Sequence, residues 1–241
     1  DVSPLYKYLV RGRDAVRLLD RVMTRDVARS AVGRVLYTPW CDAAGKVLDD
    51  GTITRLDEQA FRVTAAEPNL RWFSDNATRL DVAIDDVSES TTALALQGPR
   101  SCAILQELCD CDLAGLKYYR LTEARLRNIP VTVSRTGYTG DLGYEIWADA
   151  AHALDLWDAL IVAGTPHGIT PAGMLALDVA RIEAGLMLID VDYVPARKAL
   201  AASQTSSPFE LDLGWAVSLA KENFVGKSAL ALEAQRGPAW R

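Results

Sequence analysis

Apolar side chains recur at Val16, Leu19 and Val22 with Leu18 beside them, the spacing of one helix face, which predicts a helix over 14–23. Two strand-like runs, 35–40 and 47–56, flank Asp42-Ala43-Ala44-Gly45, a turn by composition, and so predict a strand pair. A strand follows at 61–65, then a helix over 69–80 that starts after Pro68. Beyond it the pattern gives a strand at 91–96 closed by Gln97-Gly98-Pro99, a helix over 100–108, paired strands at 121–126 and 129–134, and a third at 142–148. A helix over 150–163 is expected to turn Leu154, Trp157, Leu160 and Ile161 to one side. Thr170 is placed as the cap and Pro171 in the first turn of a helix that Gly185 ends. A last helix is predicted over 227–235, and residues 201–208 form the most loop-like stretch.

Strands arrive in adjacent pairs with helices between the pairs, not in strict alternation with helices. That order predicts an α+β fold with mainly antiparallel sheets and packed helices. Gln97-Gly98-Pro99 separates two blocks of similar content, which places a junction near residue 90. The expected division is a first α+β subdomain over 1–90, a second over 91–200, and a connecting segment with a terminal helix over 201–241.

Composition narrows the chemistry. A chain of 241 residues, 49% hydrophobic and 24% charged, is globular and long enough for a core without a disulfide scaffold. With 26 basic and 32 acidic residues the net charge is -6, which argues against nucleic acid or an anionic membrane as the main partner. No apolar window reaches the length of a membrane-spanning helix, and no signal-peptide pattern is present. The four cysteines lack metal or redox spacing, since Cys109 and Cys111 have one residue between them, and they read as reduced thiols of a cytoplasmic protein. The two histidines, His152 and His167, lie far from the cysteines in sequence, and no Gly-x-Ser-x-Gly elbow occurs. No metal site is expected, and catalysis falls to carboxylates, tyrosines and backbone groups.

Three clusters could carry it. In Gly45-Lys46-Val47-Leu48-Asp49-Asp50-Gly51, adjacent carboxylates in a strand point to opposite faces, so one can meet a ligand amine; a solvated acidic pair is the plainer reading. In Ser134-Arg135-Thr136-Gly137-Tyr138-Thr139-Gly140, followed by Gly143-Tyr144-Glu145, a glycine-rich loop presents Tyr138 and leads to Glu145. A carboxylate beside aromatic faces suits a flat heterocycle with an amidine-like edge, although an ordinary hairpin with turn glycines would look the same. In the helix closed by Gly185, Asp178 and Arg181 are spaced to pair, which is commonly only a surface ion pair.

Together these segments resemble the aminomethyltransferase family, the T-protein of the glycine cleavage system and its folate-dependent relatives. The resemblance runs in order through Asp1-Val2-Ser3, Leu36-Tyr37-Thr38, the Gly45 to Asp50 run, Leu96-Gln97-Gly98-Pro99, Tyr118-Tyr119, the Ser134 to Gly140 run with Gly143-Tyr144-Glu145, Arg181-Ile182-Glu183-Ala184-Gly185 and Phe224-Val225-Gly226-Lys227. It implies two to three folate-binding subdomains and tetrahydrofolate as the cofactor. It implies that Asp50 is the catalytic acid near the reactive folate nitrogens. It also implies that Glu145 grips the pterin edge and that Tyr37, Tyr118 and Tyr138 line the folate pocket. The implied reaction moves a one-carbon unit from an aminomethyl donor on a lipoyl carrier protein to tetrahydrofolate, with release of ammonia. The departures from the family pattern are Pro4 in place of histidine, Thr64 in place of asparagine, and Leu177 in place of the arginine before Asp178. They keep two alternatives open: a folate-dependent demethylase or the folate domain of an amine oxidase fusion, and a folate-binding module without catalysis. Family members extend on both sides of the matching region, so a missing C-terminal β-barrel is also expected.

Overall fold

The strand pair expected around the turn at 42–45 forms. β2 (Val35–Cys41) and β3 (Val47–Asp57) run antiparallel, with Tyr37 opposite Thr52 and Pro39 opposite Asp50. The computed structural model describes residues 1–238, so the last three residues of the 201–241 segment lie outside the described part. β4 (Ala60–Ala65) pairs antiparallel with β3 and with β1 (Tyr6–Arg11), and β5 (Ala83–Asp86) closes the other edge beside β1. The five strands are ordered β2-β3-β4-β1-β5. α1 (Ala15–Val22) buries Leu18, Leu19 and Val22, and α2 (Leu70–Asn76) buries Phe73, against Tyr8, Val10, Trp40, Ile53, Phe61 and Val63. The helices cover the apolar face of the sheet, and the alternating side chains Lys7, Arg62 and Thr64 on the other face are buried as well.

A second sheet, ordered β6-β9-β8-β7, is formed by β6 (Thr91–Gln97), β7 (Leu121–Leu126), β8 (Ile129–Ser134) and β9 (Gly143–Asp149), all in antiparallel pairs. Its core joins Leu94, Leu96, Val131, Val133, Tyr144 and Ile146 to Ile104 and Leu105 of α3 (Ser101–Gln106) and to Leu156 and Leu160 of α4 (Ala153–Gly164). The α+β class and the antiparallel sheets are therefore as expected, and the described residues form no closed barrel.

The chain divides into two compact units, each assembled from two stretches. The five-stranded unit is Leu5–Asp86 with Leu188–Arg241, and the four-stranded unit is Asp1–Pro4 with Val87–Met187. The remaining helices are α5 (Met174–Glu183) and α6 (Lys227–Arg236).

Several local expectations need correction. β1 and β5 carry no apolar alternation that announces them: Lys7 is buried in β1, and β5 ends in two aspartates. α2 stops at Asn76, not at 80, because Arg79 takes a left-handed φ of 66°. α4 buries Leu156, Ala159, Leu160 and Ala163, whereas Leu154 is 78% exposed, so its apolar face is rotated from the expected one. α5 is capped by extended Gly173 and begins at Met174; Pro171 precedes the helix and does not occupy its first turn.

Candidate active site

In the five-stranded unit, period-two alternation sends Asp49 and Asp50 to opposite faces of β3. Asp49 is fully buried. Its Oδ1 accepts from the Asp50 amide at 2.8 Å, and its Oδ2 accepts from Asn69 Nδ2 at 2.6 Å and from the Glu67 amide at 3.1 Å. Asn69 is fixed in turn: its Oδ1 accepts from Trp40 Nε1 at 3.1 Å and from Arg197, and its amide donates to the Tyr8 hydroxyl at 2.8 Å. Burial, and secondarily the charge of Asp50, push the Asp49 carboxyl up to about 7 against the pull of these donors. Asp49 is therefore the buried brace of the strand, and Asp50 is the acid turned to the other face.

Asp50 accepts hydrogen bonds from the hydroxyls of Tyr193 and Tyr37. Burial raises its pKa, and the two phenols draw it back toward ionisation. The Tyr193 phenol is itself raised far above its ordinary range, first by burial and then by the Asp50 charge, so it stays a protonated donor. Tyr193 is delivered by a rigid turn. Asp190 adopts a φ of 65° and donates its amide to the Tyr193 carbonyl at 2.9 Å, while the Leu188 amide donates to Asp192 Oδ2 at 2.7 Å. Lys198 ties the same turn to the sheet by pairing with Asp190 at 2.5 Å and with Glu67 at 2.9 Å. Tyr37 also stacks on Trp215 with centroids 5.8 Å apart and planes at 26°, and the Arg25 guanidinium lies 5.4 Å from the Trp215 ring centroid. An acid with an aromatic shelf beside it can hold a cationic nitrogen carried on a flat ligand.

The four-stranded unit holds a second acid. Glu145 lies in β9, opposite Ala95 of β6 and Ser134 of β8. Thr136 Oγ1 donates to Glu145 Oε2 at 2.6 Å and shares a 2.8 Å hydrogen bond with Ser134 Oγ. Gln97 locks the glycine-rich segment. Its Nε2 donates to the carbonyls of Thr136 at 3.2 Å and Tyr144 at 3.3 Å, and its Oε1 accepts from Thr139 Oγ1 at 3.1 Å. A Cβ at Gly137 or Gly143 would stand 1.9 or 2.0 Å from Gln97 Oε1, so both positions are glycine because an amide fills that space.

Tyr138 donates its hydroxyl to the Met187 carbonyl. The expected Asp178–Arg181 pair forms and is more than a surface contact: buried Arg181 donates Nε to Asp178 at 2.8 Å and Nη1 to the Leu186 carbonyl at 3.2 Å, bracing the turn that holds Met187. Tyr118 is 64% exposed and packs edge-on against Tyr119, with centroids 4.5 Å apart. The structure thus brings Asp50 and Tyr37 together in one unit, and places Tyr138, Tyr118 and Glu145 in the other. The sequence reading missed Tyr193, Trp215 and the function of Gln97. Tyr193 and Trp215 carry no local signal, whereas the close-set glycines at 137 and 143 did hint at a side chain packed over the backbone.

Among the described residues, the only clustered trio of metal-capable side chains is Cys109, Asp110 and Cys111. The two sulfurs lie 2.8 Å apart, Asp110 Oδ1 accepts from the Arg125 amide at 2.8 Å, and burial pushes the Cys111 thiol up to about 12. Such a thiol is a poor nucleophile and a reluctant metal ligand at neutral pH.

The family model described as the GCVT N-terminal domain matches residues 1–221. The chain belongs to this family. Among relatives of this GCVT-domain chain, an aminomethyltransferase of Geobacillus thermodenitrificans is 38% identical over 247 residues, covering 100% of the chain and 65% of that protein. One of Halothermothrix orenii is 35% identical over 241 residues, covering 98% of the chain and 65% of that protein. The crystal structure of glycine cleavage system aminomethyltransferase T from Bartonella henselae superposes with a TM-score of 0.86 at 27% identity, over 99% of the chain and 63% of that protein. A chain of the heterotetrameric sarcosine oxidase from Corynebacterium sp. U-96 shares the fold at a TM-score of 0.54 and 21% identity, over 71% of this chain and 85% of that one. The GCVT-domain chain thus spans about 65% of the length of the aminomethyltransferases it matches.

Proposed function

We propose that this chain carries the tetrahydrofolate-binding and reacting part of an aminomethyltransferase of the glycine cleavage type, in which a one-carbon unit passes from an aminomethyl donor to tetrahydrofolate and ammonia leaves. The observation that carries this reading is Asp50, a carboxylate held by two phenols beside an aromatic shelf. The donor sets fit the ligand. Glu145, oriented by Thr136, matches the amidine-like edge of a pterin, and Asp50 beside Tyr37 and Trp215 matches a flat ring system that develops positive charge. Bound tetrahydrofolate supplies the nitrogens that accept the carbon unit.

The chain's own groups do the rest. Asp50 faces the developing cation with fixed negative charge, and its two phenol donors keep that charge from being neutralised. The stacked Tyr37 and Trp215 rings orient a flat ligand and cover apolar area around the acid. Tyr138, tied to the Met187 carbonyl, and Tyr118 are assigned to the folate pocket on the same reading. The donor is proposed to be an aminomethyl group on a lipoyl carrier protein, and the compartment the cytoplasm. All four cysteines are free thiols, and no helix of the described residues is long and apolar enough to cross a membrane.

The test is Asp50→Asn. It removes the charge and retains the size, so tetrahydrofolate binding, followed by tryptophan fluorescence, is expected to change by no more than about threefold. Transfer is expected to fall a hundredfold or more, on the order seen when a charge-stabilising group is removed from an active site. Full turnover by this variant would exclude the role given to Asp50.

A further inference from the structure

We propose that Tyr193 is a positioning residue for Asp50: its hydroxyl fixes the carboxylate and holds it in the charged form that the transfer requires. The inference rests on the reading of Asp50 given above, and nothing in the 188–193 turn belongs to the segments that carry the family resemblance. Three observations support it. The Tyr193 hydroxyl donates directly to Asp50 Oδ1 across 143 residues of sequence. The turn that presents the ring is braced at both ends, by the left-handed Asp190 whose amide binds the Tyr193 carbonyl and by the Lys198 pairs to Asp190 and Glu67. The ring itself is buried, 5% exposed, and the bond to Asp50 is the hydrogen bond its hydroxyl makes.

The groups that face Asp50 explain why such a donor matters. Tyr37 from β2 and Tyr193 from the 188–193 turn face it directly, and Asp49, the preceding residue of β3 on the opposite face, is the neighbouring acid. Asp49 is a second acid, so it raises the cost of charge at the pair. The Arg25 guanidinium lies over the Trp215 ring, 5.4 Å from its centroid. Two neutral phenols therefore favour the ionised form of Asp50 against its burial, and each donates only while protonated. Removing the Tyr193 donor makes protonation of Asp50 easier, so its pKa rises.

The experiment compares Tyr193→Phe with wild type in the full-length protein. Tetrahydrofolate affinity is expected to change by less than about threefold. The transfer kcat is expected to fall about tenfold at neutral pH, the scale of one hydrogen bond to a charged group. The acidic limb of the kcat profile is expected to move to higher pH. A Tyr193→3-fluorotyrosine variant, which keeps the packing and strengthens the donor, is expected to move that limb to lower pH. The contact is also read without turnover, by following the Asp50 carboxyl through its titration with carbon-13-labelled aspartate and assigning it by loss of the signal in Asp50→Asn. An Asp50 titration that is the same in wild type, Tyr193→Phe and the fluorotyrosine variant overturns the proposal, as does Tyr193→Phe with unchanged kcat and unchanged limb. If Asp50→Asn turns over normally while the titration still responds to Tyr193, the proposed function fails and the contact stands. If Tyr193→Phe lowers kcat only in proportion to a lost folded fraction, with no shift of the limb in either variant, Tyr193 is structural and the positioning role is wrong.

Discussion

The two acids are held by opposite means. Glu145 takes its hydroxyl donor from Thr136, nine positions away on the same hairpin region, and Gln97 on the neighbouring strand locks the backbone between them. Asp50 takes a donor from Tyr193, 143 positions away, on a turn that must be carried back to the sheet. The first arrangement is set by local chain geometry and neighbouring strands. The second exists only after the unit has closed. The same chemical device, a hydroxyl donating to a carboxylate, therefore has a different vulnerability in each unit: backbone substitutions in one, distant side chains in the other.

Paired substitutions sharpen that contrast. The largest expected effect is that of Asp50→Asn, at a hundredfold or more on transfer with binding retained. Its counterpart Glu145→Gln is expected to weaken tetrahydrofolate binding about tenfold to a hundredfold, with transfer at saturating ligand largely kept; charged hydrogen bonds are worth about 1.5–3 kcal/mol. Fluorescence titration together with kcat at saturation separates the two. If Glu145→Gln lowers kcat and leaves affinity alone, the division of labour between the acids is wrong.

Gly143→Ala tests the local arrangement. The new methyl would meet Gln97 Oε1 at 2.0 Å, so the amide must leave its three partners. A loss of about 1–3 kcal/mol is expected in denaturant unfolding, the usual cost of overpacking. Wild-type stability for this variant would show that Gln97 has room to move.

The last effect is one of pH dependence, at Asp49. Its folded-state carboxyl is raised to about 7, so the folded chain binds a proton that the unfolded chain has already released at that pH. The associated stabilisation is present in full below about pH 4 and is lost as pH rises through about 7. The stability of wild type relative to Asp49→Asn should therefore fall across that window and level off above it. A difference that stays flat from pH 4 to 7 would show that the three donors on Asp49 outweigh its burial.

Much of this was legible in the chain. The alternation of β2 and β3, with their turn at 42–45, placed the two aspartates on a strand, and period two put them on opposite faces. The run from Ser134 to Glu145 announced a constrained loop leading to a carboxylate. What escaped has physical reasons. β5 is four residues long and half acidic, so no hydrophobic pattern marks it. Leu154 shares its helical spacing with Trp157 and Ile161 yet is exposed, because spacing alone cannot fix which arc of α4 meets the sheet. Tyr193 sits in Asp190-Val191-Asp192-Tyr193, a stretch with no periodicity, and its partner is named only by the closed fold. Trp215 reaches Tyr37 in the same way, from a single turn of helix far along the chain.

The return of the chain after residue 188 to the five-stranded unit also sets an order of events during synthesis. A ribosome adding roughly 5–20 residues per second emits Tyr193 about 7–29 s after Asp50, given their separation of 143 positions. Throughout that interval the nascent chain displays a β3 whose acid lacks its distant phenol, while all of Val87–Met187 emerges between the two. Translation pauses within that stretch would lengthen the time for which the five-stranded sheet stays unfinished.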